Sequence, residues 1–322
     1  MSRRGWALFL AMAIVWGVPY LLIKVAVEEM SPATLVLART ALAALILLPL
    51  AAARGLLRPL LPHWKPIAAF AVVEIAVPWV LLNAAEQRLS SSLTGLLIAA
   101  VPLVGAALAW SGLTARSEDP VDARRMLGLL VGLAGVAALV GFEVGGGDLW
   151  AVVAIGVVAV CYATGPVILS RWLSGLPGLG VIAASLTFTA LVYLPVGLLT
   201  APVELPSAAA LWSVVGLAVV CTALAFLLFF ALIAEVGPTR STVITYLNPA
   251  VALLLGVWLL DERFTVATGI GFALILLGSV LATQRNRPPD VAAEEPGIPP
   301  ESRSSMDSEC DVLGGSRPVP EP

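Results

Sequence analysis

Long apolar stretches separated by short polar segments run along this chain as far as about residue 284. None alternates polar and apolar positions, so the pattern predicts helices rather than the strands of a barrel, the only other architecture whose backbone is satisfied in lipid. The expected helices are Trp6–Val27, Pro32–Ala52, Pro66–Glu86, Ser91–Leu113, Met126–Val140, Leu149–Leu169, Leu179–Leu199, Ala208–Ile233, Ser241–Leu260 and Phe264–Thr283. Most are long enough to cross a hydrocarbon core of about 30 Å; the fifth is the shortest. The first is not a cleaved leader by pattern, because its apolar run exceeds a signal h-region and Lys24, Glu28 and Glu29 follow it.

The same landmarks occur twice in the same order. Trp16 and Tyr162 lie 146 residues apart, as do Pro49 and Pro195; Pro102 and Pro249 lie 147 apart; and the pair Gly128 and Gly135 returns 143 residues later as Gly271 and Gly278. An ordered series of this kind predicts a duplication. Five helices per copy would insert the second copy upside down, as in inverted-repeat transporters. The expected units are residues 1–143, residues 144–284 and a tail over residues 285–322.

Composition sharpens the class. Of 322 residues, 59% are hydrophobic and 12% charged, and the mean hydropathy is +0.98, far from the balance of a soluble globule. With the N-terminus inside, the cytoplasmic segments would hold Arg3, Arg4, Arg54, Arg58, Lys65, Arg116, Arg124, Arg125, Arg171, Arg240, Arg285 and Arg287, against Lys24, Arg88 and Arg263 outside. That bias predicts both termini in the cytoplasm. From Arg285 onward Pro, Glu, Ser and Gly dominate, with eight acidic residues against four basic ones; such a segment is expected to be a disordered cytoplasmic extension. The tail accounts for the net charge of −3, so charge gives no reason to expect a nucleic-acid partner.

Catalytic signatures are missing from the sequence. It has one histidine, His63, and no H-E-x-x-H, G-x-S-x-G or P-loop pattern, so neither an enzyme nor a nucleotide-driven pump is expected. Cys161, Cys221 and Cys310 have no metal-ligand spacing. No metal or cofactor is implied.

Ionisable and polar side chains at membrane depth are expensive and therefore mark candidate sites. Arg39 in the second helix and Glu74 in the third fall at heights that differ by only about 8 Å at 1.5 Å per residue, which leaves a pair open, direct or across a substrate. Arg39 could instead snorkel or hold a carbonyl, and Glu74 could be a neutral buried carboxyl; that same property would suit a proton-coupling group. Trp16, Tyr20 and Lys24 form a stripe on the first helix, answered in the second copy by Tyr162, Pro166 and Ser170. Lys24 could equally reach the outer interface. Pro78, Pro102 and Pro249 are candidate kinks or gates, accompanied by Trp79, Asn83, Tyr246 and Asn248. Glu86 and Arg88 read as a solvated pair, and Gly128 with Gly132 as a small-residue patch for a neighbouring helix, in the chain or in a homodimer.

The segment GPTRSTVITYLNPAVALLLGVWLLDERFT, Gly237 to Thr265, and its first-half counterpart LSSSLTGLLIAAVPLVGAALAW, Leu89 to Trp110, resemble the repeat signature of the drug/metabolite transporter superfamily, in particular its ten-helix EamA-type permeases. Trp16-Gly17, Arg39 and Glu262 sit where that family places them. One departure is the first half's Thr114-Ala115-Arg116, which stands where an acidic residue would follow the fourth helix. The resemblance implies an all-α, ten-helix inner-membrane protein of two inverted repeats. It implies export or exchange of small metabolites such as amino acids or amphipathic compounds by alternating access, through a cavity lined by helices 1, 3, 4, 6, 8 and 9, driven by gradients rather than ATP. The expected partners are a small-molecule substrate, protons as a coupling ion and the lipid bilayer. The alternative reading is a non-transporting membrane sensor or assembly protein built on the same bundle.

Overall fold

A computed structural model describes residues 2–111, 123–143, 148–237 and 241–283; the expected tail lies outside them. The described residues form helices without strands. The membrane-length helices are α1 (Arg3–Val27), α2 (Pro32–Ala53), α3 (Arg58–Glu86), α4 (Ser91–Trp110), α5 (Ala123–Glu143), α6 (Leu149–Trp172), α7 (Gly178–Leu199), α8 (Ala208–Val236) and α10 (Val266–Thr283), with the shorter α9 (Asn248–Leu259) between the last two. The fifth helix is thus longer than the sequence suggested. Large apolar side chains such as Leu45, Leu199 and Trp258 remain exposed around the bundle, an apolar surface suited to lipid and a liability in water.

Helix starts follow local chemistry. Ser31, Ser90 and Ser207 each accept the backbone N–H three residues on, from Thr34, Leu93 and Ala210, and so cap α2, α4 and α8; each such cap contributes about 1 kcal/mol. Two carboxylates reinforce these starts from a distance. Glu29, in the turn between α1 and α2, accepts Ser207 N at 2.6 Å and Ser207 Oγ at 2.5 Å. Glu262, just after α9, accepts Ser91 N at 2.7 Å and Ser92 N at 2.9 Å. Both complement the positive end of a helix dipole with a negative charge.

Helix pairing respects the duplication seen in the sequence. α2 packs on α7, α4 on α9 and α5 on α10, while α1 with α8 mirrors α6 with α3, α1 with α9 mirrors α6 with α4, and α2 with α8 mirrors α7 with α3. Exchanging the first five helices with the last five leaves this set unchanged. The closest approach is between α5 and α10. A Cβ at Gly135 would stand 2.8 Å from both Gly271 O and Ile275 N, and one at Gly128 would stand 2.8 Å from Gly278 O. Gly132 is closed over by Leu103 of α4. The Gly128/Gly132 patch is therefore buried inside the chain, which answers the choice between an internal contact and a dimer contact.

The irregular turns also come in matched places. α3 contains a π-helical segment, Val72–Ala76, and α8 another, Gly216–Leu224. α4 breaks between Ile98 and Val101, just ahead of Pro102, and α9 follows a 3-10 turn, Thr242–Tyr246, just ahead of Pro249. Pro78 sits at the start of the α-helical part of α3 that follows its π segment. Each proline withholds one backbone donor, so the preceding turn loses its regular bond there.

Serine hydrogen bonds hold the Glu29 carboxyl below the usual carboxylate range. A depressed folded-state pKa stabilises the protein above the unfolded value, and that contribution is lost as pH falls through the folded value. Glu29→Gln should accordingly lower the melting temperature in detergent at neutral pH. The difference from wild type should close once the pH drops beneath the carboxylate range, as thermal unfolding followed against pH would record.

Candidate functional site

Arg39 projects from the middle of α2 and is only 7% exposed. Its Nε donates to Thr222 Oγ1 at 2.9 Å, and its guanidinium carbon lies 3.7 Å from the centroid of the Trp79 ring. Thr222 belongs to the π segment of α8, where its hydroxyl also donates to Leu217 O at 2.7 Å. The buried cation is thus held by a hydroxyl, an aromatic face and the dipoles of an irregular turn rather than by a carboxylate. Stacking of this kind favours arginine over lysine, because the planar group offers a face as well as a fork of donors.

The second copy answers with different chemistry. Tyr193 of α7 donates its hydroxyl to Ala76 O at 2.9 Å, in the π segment of α3. Ala76 and Thr222 are 146 residues apart, the offset of the repeat. Each half therefore sends one polar side chain from its second helix into the π segment of the other half's third helix. Ala76 O is thereby satisfied across the halves, whereas Leu217 O is satisfied within its own segment by Thr222, whose hydroxyl in turn accepts from Arg39.

Three further side chains gather around Arg39. Tyr20 of α1 is buried, Tyr162 of α6 is half-buried, and both lie within electrostatic reach of the guanidinium. The Trp79 indole lies near the Tyr162 hydroxyl. Glu86, near the end of α3, is fully buried, neither of its carboxylate oxygens has a hydrogen-bond partner, and Arg39, Lys24 and Glu262 are the charges around it. This overturns the reading of Glu86 and Arg88 as a solvated pair. Arg88 instead points outward, with its guanidinium carbon 6.0 Å from the Trp150 ring. No polar pattern around residue 86 distinguished a surface carboxylate from a buried one.

Glu74 lies in the π segment of α3 and faces α6, where a Cβ on Gly165 would overlap its carboxylate. Its Oε2 is buried and without a partner. It makes no ion pair with Arg39 within 4.0 Å, so the direct form of the expected pair is not present. Lys24 donates to Glu86 O at 2.8 Å and Leu89 O at 3.1 Å, closing the end of α3. Trp16 packs on Phe229 and Phe226 of α8, with ring centroids 4.8 Å and 6.2 Å away. The stripe on α1 therefore divides: Trp16 meets α8, while Tyr20 and Lys24 face the end of α3.

The remaining candidates support the backbone. Asn83 Nδ2 donates to Pro32 O at 3.3 Å, joining α3 to the start of α2. Asn248, with its amide nitrogen toward the acceptors, donates to Ala13 O at 3.3 Å and Ile244 O at 3.0 Å, which ties the turn before α9 to α1. Tyr246 shares a hydrogen bond of 3.1 Å with the Thr283 hydroxyl of α10, away from Arg39. Thr222 and Tyr193 escaped the sequence reading; the signal that could have found them is a hydroxyl at the depth of Arg39 on a partner helix. Near Arg88, Ser90, Asp148, Glu262 and Arg263 a cleft of about 240 Å³ opens at the end of the bundle opposite the N-terminus.

Replacing Thr222 by valine keeps the volume and removes the acceptor of the buried guanidinium. The variant should lose about 1–3 kcal/mol of stability, whereas Thr187→Val, at a hydroxyl that only bonds back to Ala183 O, should be close to neutral. Denaturant titration of both proteins in the same detergent compares them.

A model described as the EamA-like transporter family matches residues 3–141 and again residues 149–284. The inner membrane transporter YedA of Escherichia coli (strain K12) is 29% identical over 282 residues, covering 86% of this chain and 89% of its own. A probable terminal-alkyne amino-acid exporter of Streptantibioticus cattleyicolor is 29% identical over 312 residues, 92% of this chain and 99% of its own. The transporter YvbV of Bacillus subtilis (strain 168) is 25% identical over 292 residues, 89% of this chain and 94% of its own. One solved crystal structure shares the fold with a TM-score of 0.61 at 20% identity, over 88% of this chain and 97% of its own. The two matches of the family model together span nearly all of the helical chain, and the protein belongs to the EamA-like transporter family.

Proposed function

We propose that this protein is a secondary transporter of an inner membrane, built from two inverted five-helix repeats, that exports or exchanges small metabolites by alternating access. The observation that carries this reading is the cluster of Arg39, Trp79, Tyr20, Tyr162 and Thr222 between matched breaks in the two halves. Irregular backbone at membrane depth is tolerated where it lines a cavity or is covered by protein, and in transporters it holds the substrate. α1, α3, α6 and α8 supply the walls and α2 supplies the charge. Amino acids are among the substrates this reading includes, and a relative named as an amino-acid exporter supports that choice.

Orientation follows from the basic residues. The end bearing Arg3, Arg4, Arg54, Arg58 and Arg171 is the cytoplasmic one under the charge rule, with both termini there. Glu74, unpartnered and pressed on Gly165, is the candidate proton-coupling group. A carboxyl that exchanges its proton during the cycle makes transport depend on pH; an amide of the same shape cannot.

Single cysteines at positions 58 and 206 in a cysteine-free background should separate the two faces, an impermeant thiol reagent labelling the second from outside and the first only after permeabilisation. Preferential outside labelling at position 58 reverses the topology. For Glu74→Gln reconstituted in liposomes, uptake should lose its pH dependence while the melting temperature stays near wild type. An unchanged pH profile removes Glu74 from coupling.

A further inference from the structure

The end of the bundle opposite the N-terminus is poor in basic residues. Those it carries among the described residues are Lys24, Arg88 and Arg263, and all three gather at the turn between α3 and α4. Lys24 is committed there to the carbonyls of Glu86 and Leu89. Arg88 and Arg263 are exposed and line the same cleft of about 240 Å³, and neither makes a hydrogen bond or an ion pair within 4.0 Å. A guanidinium without a protein partner keeps its whole fork of donors. Asp148, at the start of α6, lines the cleft as well, and its carboxylate neither caps that helix nor pairs with a cation. The remaining acid, Glu262, is taken by the amides of Ser91 and Ser92.

The uncommitted groups lining this one space are thus two guanidinium forks and one carboxylate. Such a set suits a ligand that joins a phosphate, which accepts from both forks, to a primary ammonium, which donates to the carboxylate. The surroundings point to the bilayer as its source. Leu149 and Trp150 on α6 and Phe264 just before α10 adjoin the lining residues in sequence, and each is more than half exposed. The Arg88 guanidinium carbon lies 6.0 Å from the centroid of the Trp150 ring. Tryptophans at helix ends mark the headgroup level of a bilayer. The cleft therefore opens at the depth of lipid phosphates, beside an apolar surface suited to acyl chains.

We propose that this cleft holds the headgroup of an aminophospholipid, Arg88 and Arg263 taking the phosphate and Asp148 the ammonium, with the acyl chains lying along the apolar surface beside Trp150 and Phe264. Arg88 follows α3 of the first half, while Asp148 and Arg263 adjoin α6 and α10 of the second. One bound lipid therefore bridges the two halves and stabilises the folded bundle by mass action. A phospholipid whose amine is trimethylated keeps its charge but has no N–H to donate to Asp148, and one with a glycerol headgroup has no cation at all. Both should fit less well. The site is separate from the Arg39 cluster, and the assignment does not depend on the transport reading.

The test uses the full-length protein, stripped of lipid in detergent, with phosphatidylethanolamine, phosphatidylcholine and phosphatidylglycerol of identical acyl chains as probes. Binding is read by native mass spectrometry and by the rise in melting temperature. Phosphatidylethanolamine should bind on the order of tenfold more tightly than either of the others. Arg88→Gln combined with Arg263→Gln should weaken it by a similar factor and remove the preference. Asp148→Asn should bring phosphatidylethanolamine and phosphatidylglycerol level while the latter binds no more weakly than before. The comparison of the three lipids on wild type needs no variant, so it stands even if a variant is unstable. Equal binding of the three lipids overturns the assignment, as does tightest binding of phosphatidylglycerol, or a preference that survives the loss of both arginines or of the Asp148 carboxylate. Soluble phosphoethanolamine that displaces the lipid at equal concentration also overturns it, because the cleft then serves a solute and not the bilayer.

Discussion

Lipid offers a backbone no hydrogen bonds, and that constraint organises this protein. Where α3, α4, α8 and α9 leave the regular ladder, carbonyls and amides are released that only the protein can satisfy. Tyr193 reaches Ala76 O, Thr222 reaches Leu217 O, Asn248 reaches Ala13 O and Ile244 O, and Glu262 takes the amides of Ser91 and Ser92. These contacts mostly run between elements distant in sequence. The irregular turns therefore supply hydrogen bonds between the two halves, alongside links at helix ends such as Glu29 to Ser207 and Thr34 to Gly197 O, and the π segments of α3 and α8 lie beside Arg39.

Arg39 shows how a full charge is kept inside such a bundle. Its neutralisation is distributed: a hydroxyl at one nitrogen, a ring beneath the plane, and tyrosines and Glu86 farther off. A direct carboxylate partner would have bound the guanidinium more firmly and consumed the donors that face the interior. Distribution leaves the charge both stable and available. At the 146-residue offset Arg39 is answered by Ser185, and the side chain that enters α3 is the neutral donor Tyr193, eight residues further along α7, so the two halves share their helix pairing and differ in charge.

Much of this was legible in the sequence because the period of the apolar runs and the repeat of its landmarks are properties of single residues and their spacing. Most helices fell within a few residues of their expected bounds, α3 beginning eight residues earlier and α9 seven residues later than expected, and Pro102 and Pro249 did mark the breaks in α4 and the turn before α9. Pairing was the part that could not be read. Nothing about residue 86 tells whether α1 closes over it with Lys24, and nothing about Thr222 tells that Arg39 lies opposite. Those facts depend on how helices rotate about their own axes, which apolar patterning specifies weakly in a chain hydrophobic on nearly every face. Arg39 and Glu74 looked alike in depth, yet one turns toward α8 and the other toward α6.

The glycine contact between α5 and α10 sets a limit on how the rest can move. Gly128 and Gly135 meet the backbone at Gly278 and Gly271, and Gly278 meets that of Gly132, while Leu103 and Leu139 close over Gly132 and Gly271, so the two helix backbones touch with few side chains between them. A seam of that kind leaves little room for one helix to slide past the other. If the first five helices were to turn against the last five about this line, displacement would grow with distance from it, and the walls of the bundle farthest from the seam would travel most for a given rotation.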